Sequence, residues 1–477
     1  MNPEYDPRSH AVPLWQPVVY SAFGGGLAWG IRGQYGHETG AMIAGLLIGL
    51  VLTLLFRPHA NSLSAARAVA FCTVAIGFGG STTYAQSIGL TQNIAFIGNW
   101  TALSWGMVGL ALKGGIWIGF GAVFLGMGLG GVRYRAREIL LIMVGLLLLY
   151  MLGVWVFNTP FDPSRKAFPP IFFSYGGRWS PGSDERPRYE DWGGLLFSLI
   201  GLIAYTKWVR RDPLAPRLGL WGILGGMVGF PLGQCLQAFH AWNPQIFSSG
   251  IWAQIDKNIN WWNFMETSFG AVMGATMGLG LWLNRRRIAS LAEEPETSLS
   301  PLLEGILAAL YVSLLVTSEF TKTPGMEWFN EYSLVLGMIP LFAAAGGRWW
   351  PYLLTLPMTA LPIAGKTLRQ LAYREHSIEV VPGWLVYIVV PLSLATILSL
   401  ILARGALQNR QARPFLRWGL LFSTWLYFVL NLAFFHYPWP WDKWTFRTAN
   451  TIVFAVFALG LTALVARSKT SPGESVR

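Results

Sequence analysis

Residues 32–38 read RGQYGHE and stand between two strongly apolar stretches. This run supplies a permanent cation at Arg32, an imidazole at His37 that titrates near neutral pH, and a carboxylate at Glu38. Such a mixture can bind an ion or exchange a proton, which is more chemistry than a connector requires. Ionisable side chains beside lipid mark functional sites by default. The run is therefore the first candidate site, although an ion-pair cluster that only ties two helices together would use the same residues.

Further polar residues lie within or beside other apolar stretches. Lys113 interrupts one such stretch, and Glu266 lies about one helical turn inside another. Both have simpler interpretations, because Lys113 can extend to the lipid headgroups and Glu266 can stabilise a helix N-terminus. If the stretches are membrane helices, however, their polar residues reach a similar depth in the outer half of the bilayer. The predicted substrate-binding set is Arg32, Gln34, His37, Glu38, Gln86, Lys113, Gln234, Gln237, His240 and Glu266.

The composition defines the class of protein that positions these residues. Of 477 residues, 53% are hydrophobic and only 12% are charged, whereas a soluble domain carries about 25% charged residues. Apolar runs of about 20 residues are long enough to span a bilayer. We therefore predict an all-α, multi-pass membrane protein with about fourteen transmembrane helices. The predicted spans lie near 14–31, 38–56, 65–82, 113–131, 138–157, 192–209, 218–236, 261–283, 302–318, 333–346, 349–365, 383–403, 415–434 and 448–466.

The Lys and Arg residues predict the orientation of these spans. They concentrate in alternate short loops, and such loops face the cytoplasm. Both termini are predicted to be cytoplasmic, the loop 158–191 is predicted to be external, and the membrane is predicted to be the plasma membrane. The net charge of +12 arises from these scattered loops and not from one basic face, so nucleic acid is not an expected partner. Membrane lipid is.

Two parts of the chain resemble each other. The segment FGAVFLGMGLGGVRYRAR (120–137) aligns with FGAVMGATMGLGLWLNRRR (269–287), and weaker matches share the same order. We interpret this as two parallel four-helix repeats, although Gly-rich spans also look alike by composition. An even number of spans keeps both copies in one orientation. The predicted regions are an N-terminal segment with the first span (1–37), repeat A (38–157), the external loop (158–191), repeat B (192–318) and a C-terminal helical region (319–477).

The apolar stretch 100–131 is longer than one upright helix needs, because at 1.5 Å per residue it measures about 48 Å. The Gly114–Gly115 pair is the natural point of interruption. We therefore predict a broken or re-entrant segment near 100–115. Broken helices at membrane depth are tolerated where they are buried in protein or line a watery cavity.

The sequence narrows the function without naming a substrate. No cofactor motif is present, GHETG lacks the second His of a zinc-binding H-E-x-x-H pattern, and GFGGST is not a nucleophile elbow. Amides and Trp residues are dense in the outer loops, which suits a hydroxyl-rich solute, although an aromatic belt explains the Trp residues equally well. We predict a transporter for a small polar solute, sugar-like or anionic. The alternatives are an enzyme with His37 as base, acting on a lipid-linked or acyl substrate at the outer leaflet, or a structural subunit.

Overall fold

The computed structural model describes residues 12–81, 84–176, 178–180, 187–289, 296–321, 333–409, 411–436 and 443–468. Within these ranges the chain is helical and forms no strand beyond two isolated bridges. Eight of the described helices are long and apolar enough to cross a membrane. The class predicted from composition, an all-helical membrane protein, is thus supported. The extreme termini, 1–11 and 469–477, lie outside the described residues.

The described helices follow one another along the chain, and the long loop 158–191 separates α6 from α7. The first part of the chain contains α1 (Trp15–Arg32), α2 (Met42–Phe56), α3 (Ser62–Phe78), α4 (Ala85–Gln92), α5 (Trp100–Leu129) and α6 (Ala136–Phe157). The middle part contains α7 (Trp192–Ala204, continued as a π-helix to Val209), α8 (Ala215–Trp242), α9 (Gly250–Asn258), α10 (Trp261–Leu283) and α11 (Pro301–Phe320). The last part contains α12 (Ser333–Gly346), α13 (Trp350–Leu353), α14 (Thr359–Leu368), α15 (Val380–Trp384), α16 (Val390–Asn409), α17 (Arg413–Phe434) and α18 (Thr448–Arg467), with π-helical residues at Leu354–Met358, Arg369–Arg374 and Leu385–Val389.

Every predicted span overlaps a helix, but the number of membrane crossings is not thereby established. The eight candidate spans are α5, α6, α7 with its π-helical end, α8, α11, the joined α15–α16, α17 and α18. The remaining predicted spans fall on helices that are shorter or less apolar, among them α2, α3 and α12. The count of fourteen and the parallel relation between 38–157 and 192–318 stay predictions.

The predicted break near 100–115 is wrong. Helix α5 is continuous for 30 residues. Its glycines serve packing instead of interruption: a Cβ on Gly114 would lie 2.5 Å from the carbonyl oxygen of Gly226 on α8. The excess length is accommodated differently, because the first turns of α5 are largely exposed, with Trp100 70% accessible. The helix therefore extends past the packed core.

Two closely packed helix pairs form the centre of the molecule. Helix α1 packs against α10, α5 packs against α8, and α8 also contacts α10. Small residues permit the approach, since a Cβ on Gly25 would lie 2.1 Å from the carbonyl oxygen of Gly270. The indoles of Trp29 and Trp117, whose ring centroids are 4.8 Å apart, join α1 to α5. This packing fixes the end of α1 relative to α10, where the candidate site lies.

Candidate functional site

A fully buried ion pair joins the end of α1 to α10. The Arg32 Nη2 lies 2.9 Å from the Glu266 Oε1, and both side chains are 1% exposed. Arg32 also donates to the Tyr84 hydroxyl at 2.6 Å, and the same carboxylate oxygen accepts from Tyr84 at 3.3 Å and from the Trp262 indole at 3.2 Å. Burying two charges is costly unless they are paired and hydrogen-bonded. Glu266 supplies the negatively charged partner that Arg32 would lack in lipid or in apolar protein.

Local sequence explains why these groups can approach. A Cβ on Gly33 would lie 1.9 Å from the Glu266 Oε2, so only glycine at this position lets the carboxylate sit against the backbone. The Arg32 Cζ lies 4.8 Å from the Trp29 ring centroid and 5.4 Å from that of Trp117. These cation–π contacts add stabilisation in a desolvated setting. The guanidinium is therefore enclosed by rings and one carboxylate.

His37 completes this group, but not as a general base. Its Nδ1 lies 3.1 Å from the Arg32 Nη1, and its ring packs edge-on against Tyr84. Burial, together with the charges of Arg32 and Lys366, lowers the pKa of His37 to about 3. The imidazole is therefore neutral and accepts from Arg32. An enzyme that used His37 as base would place it against a carboxylate, whereas its hydrogen-bond partner among the described residues is Arg32.

A second charge cluster holds the connector 33–41 from the other side. The Lys366 Nζ of α14 donates to the Tyr35 carbonyl at 2.5 Å and to the Thr39 hydroxyl at 3.1 Å. It also lies 3.6 Å from the Glu319 Oε2 at the end of α11. The connector is thus half-buried and packed on both sides, and its polar residues do not form a solvated hairpin.

Glu38 belongs to neither ion pair. Of the two carboxylates in the predicted substrate-binding set, Glu38 and Glu266, it is Glu266 that makes the direct contact with Arg32. Glu266 also lies beyond the first turn of α10, so its main interaction is with Arg32 and not with the helix dipole.

Lys113 lies in a separate cluster. Its side chain is completely buried, its Nζ lies 2.8 Å from the Glu190 Oε1 and 3.0 Å from the Ser87 hydroxyl, and the other Glu190 oxygen accepts from the Phe173 amide at 2.9 Å. The interpretation that Lys113 extends to the headgroups is therefore wrong. Its partner comes from the loop 158–191, which packs into the bundle at this point.

The predicted amides and the second histidine occupy different environments. Gln86, Gln234 and Gln237 are buried, and the amide oxygen of each lacks a hydrogen-bond partner in the described part of the chain. The Gln234 Nε2 donates to Thr91 at 2.8 Å. Gln34 is half-buried in the connector. His240 is partly exposed, with its Nε2 2.7 Å from Asp256, so it lies on the surface beside α9 and outside the buried group.

The structure brings only part of the predicted substrate-binding set together. The structure brings Arg32, His37 and Glu266 together, as the polar depth argument anticipates, and it separates Lys113 and His240 from them. Several residues of these buried clusters were not predicted from the sequence, and most of them lie in no sequence pattern that marks a site. The missed residues are Tyr84, Glu190, Trp262, Glu319, Lys366 and Arg447.

Comparison with known proteins adds little to this geometry. No protein-family model and no curated protein matches the chain. Among solved structures the chain is similar to a manganese transporter from Eremococcus coleocola at 12% identity, with a TM-score of 0.16 over 96% of this chain and 86% of that one. A TM-score this low carries no argument about fold or function. The sequence and the described structure together define a helical protein with several candidate membrane spans, and its function must be argued from the site.

Proposed function

We propose that this protein is a multi-pass transporter that moves a small polar solute through a site between α1, the connector 33–41 and α10. The observation that carries the proposal is the buried Arg32–Glu266 pair, because part of its hydrogen-bonding capacity is unused. Neither the Arg32 Nε nor the Glu266 Oε2 has a partner among the described residues. Such atoms are costly to bury unless another group, a water molecule or a solute forms the missing hydrogen bond with them.

The position of the pair suits a gate. It joins two helices that also meet through glycine contacts, through the Trp29–Phe269 ring contact and through a hydrogen bond from Asn263 to the Gly30 carbonyl. It lies at the end of α1, where the chain leaves the helix for the connector. Removing one partner from a buried pair costs about 3–5 kcal/mol. A solute that replaces one partner offsets this cost and so can shift the two helices between arrangements. In the proposed topology, with cytoplasmic termini, this gate faces outward.

The alternatives receive less support from the geometry. An enzyme with His37 as base requires a carboxylate partner, and the contact with Arg32 opposes proton uptake by the imidazole. A purely structural ion pair fits the contacts of Arg32 and Glu266 equally well at rest. It differs in one consequence, because apolar replacement of both partners would then leave activity intact.

Uptake into liposomes tests the proposal. The purified protein is first screened for thermal stabilisation by sugars, amino acids, carboxylates and halides, since a ligand that binds only the folded state raises the apparent stability. Uptake of the stabilising solute is then measured for the parent, R32Q and E266Q. A loss of about 1.4 kcal/mol of solute interaction reduces uptake about tenfold.

The matched control is E138Q. Glu138 pairs with Arg210 at 2.9 Å, the same separation as in the Arg32–Glu266 pair, but both side chains are partly exposed. We expect E138Q to transport like the parent. Folding of every variant is checked by size-exclusion chromatography. Parental uptake by folded R32Q and E266Q would refute the proposed role of the pair.

A further inference from the structure

Arg447 is a buried cation that sequence reasoning missed. It immediately precedes α18, its side chain is 4% exposed, and its Cζ lies 3.5 Å from the centroid of the Phe435 ring. Its Nη2 has no hydrogen-bond partner among the described residues. A guanidinium stacked on a ring still requires acceptors for its N–H groups when it is removed from water.

Other unused donors accompany Arg447. Asn431, in the last turns of α17, is 5% exposed, and its Nδ2 has no partner with hydrogen-bond geometry in the described part of the chain. Phe435, whose ring Arg447 contacts, directly follows α17, so Arg447 lies beside the end of the helix that carries Asn431. Arg32, whose Nε is also unpartnered, forms a direct ion pair with Glu266, and Arg447 interacts with the same carboxylate only electrostatically. Arg447 Nη2 and Asn431 Nδ2 are therefore donors without an acceptor of hydrogen-bond geometry in the described part of the chain, and a bound anion would supply one.

The local charge balance leads to the same conclusion. Glu266 interacts electrostatically with Arg32 and with Arg447, and its direct ion pair is with Arg32. Arg32 also interacts with Glu38, whereas Glu266 is the one carboxylate that acts on Arg447 in the described part of the chain. The N-terminus of the 20-residue helix α18 lies beside Arg447 and adds a positive partial charge. The Asn450 side chain fixes this helix start to the start of α10, since it accepts from the backbone N–H of Asn260 at 2.8 Å and donates to the Asn260 carbonyl at 3.2 Å.

We propose that Arg447, Asn431 and the start of α18 bind a small monovalent anion, a halide or a short carboxylate, beside the Arg32–Glu266 pair. Helix N-termini and guanidinium groups are the protein's usual means of binding anions. For transport the inference rests on the proposed function, and it specifies the solute as anionic. The binding itself does not depend on transport.

Anion-dependent stability tests the site directly. The full-length protein in detergent is titrated with sodium bromide, formate or acetate at constant ionic strength, with gluconate as the bulky reference anion. We expect at least one of the small anions to produce a saturable rise in the midpoint of thermal unfolding. R447Q should weaken its apparent affinity at least about tenfold. R413Q, a partly buried arginine at the opposite end of α17, is the control and should respond like the parent.

A second variant keeps the test decisive if R447Q fails to fold. N431D introduces a fixed carboxylate beside Arg447, so we expect a folded protein that no longer responds to the small anions. An unchanged response in N431D or R447Q, or no response of the parent to any small anion, would overturn the anion site. Anion binding without uptake would retain the site and refute transport. Uptake of a solute that is unaffected by R447Q would retain transport and refute the anionic solute.

Discussion

The substitution E266Q is expected to destabilise the protein more than R32M, although the two residues form one pair. In E266Q the new amide oxygen still accepts from Tyr84 and Trp262, but Arg32 loses its direct ion pair, and Arg447 loses the one carboxylate that acts on it in the described part of the chain. In R32M the carboxylate keeps both donors and the field of Arg447. Leaving a buried charge uncompensated costs about 3–5 kcal/mol. We therefore expect E266Q to lie near the top of that range.

The apolar double variant separates the cost of breaking the pair from its net value. Replacing a buried pair by residues of similar volume is often neutral, or stabilising by about 1–4 kcal/mol. R32M combined with E266M should therefore be more stable than the sum of the single variants predicts, by at least about 2 kcal/mol of coupling. Its remaining defect should come from Arg447, which then lacks the one acid that acts on it in the described part of the chain.

The measurement is reversible unfolding in mixed micelles with increasing sodium dodecyl sulfate, followed by tryptophan fluorescence. The free energy of unfolding of parent, single and double variants forms a double-mutant cycle. The reasoning is refuted if R32M and E266Q are equally destabilised and their effects add within about 0.5 kcal/mol. Loss of uptake in a stable double variant would further distinguish a functional pair from a purely structural one.

Three shorter predictions concern other features. K113M leaves Glu190 buried without its cation, so we expect about 3–5 kcal/mol of destabilisation and faster proteolysis within the loop 158–191; unchanged proteolysis would show that the loop is held by other contacts. G226V places a Cβ about 2.0 Å from a carbonyl oxygen of α5, so the variant should not give a monodisperse protein, and a normal chromatographic profile would contradict the α5–α8 packing. Because the pKa of His37 is lowered to about 3, the unfolded chain binds a proton near pH 6.5 that the folded chain does not. The free energy of unfolding should therefore fall as the pH drops from 7 toward 3, and H37Q should flatten this pH dependence in parallel unfolding titrations. An identical slope in both proteins would show that the lowered pKa of His37 is not its source.

Much of the architecture follows from sequence because the bilayer imposes one simple rule. Apolar runs of sufficient length become helices, and each predicted span overlaps one. The boundaries of α5 did not follow, since Gly114 and Gly115 permit either a break or close helix contact. The neighbouring Gly226 decides between them, and it lies more than a hundred residues away in the chain.

The residues of the candidate site were also only partly predictable from the sequence. Arg32, His37 and Glu266 stood out because charge is rare in apolar sequence, and a buried cation needs an acid at its own depth. Lys366, Glu319 and Arg447 lie near the ends of apolar stretches, where charged residues are ordinary. Only the contact of Lys366 with the connector, and the hydrogen bonds that join the start of α18 to the start of α10, distinguish them from topology signals. Glu190 was hidden in the same way by the charged loop around it.

The long sequence separation between Arg32 and Glu266 has a consequence for biosynthesis. The two residues are 234 positions apart, and a ribosome that adds 5–20 residues per second takes roughly 12–47 s to cover that distance. During this interval the first hairpin exists without the acid that neutralises it, and Lys366 is further away still. An unpaired arginine is costly in hydrocarbon. We therefore expect the first hairpin to stay in a hydrated position, in the insertion machinery or at the membrane surface, until α10 is synthesised. Glu266 can then pair with Arg32, and the hairpin can pack into the bundle.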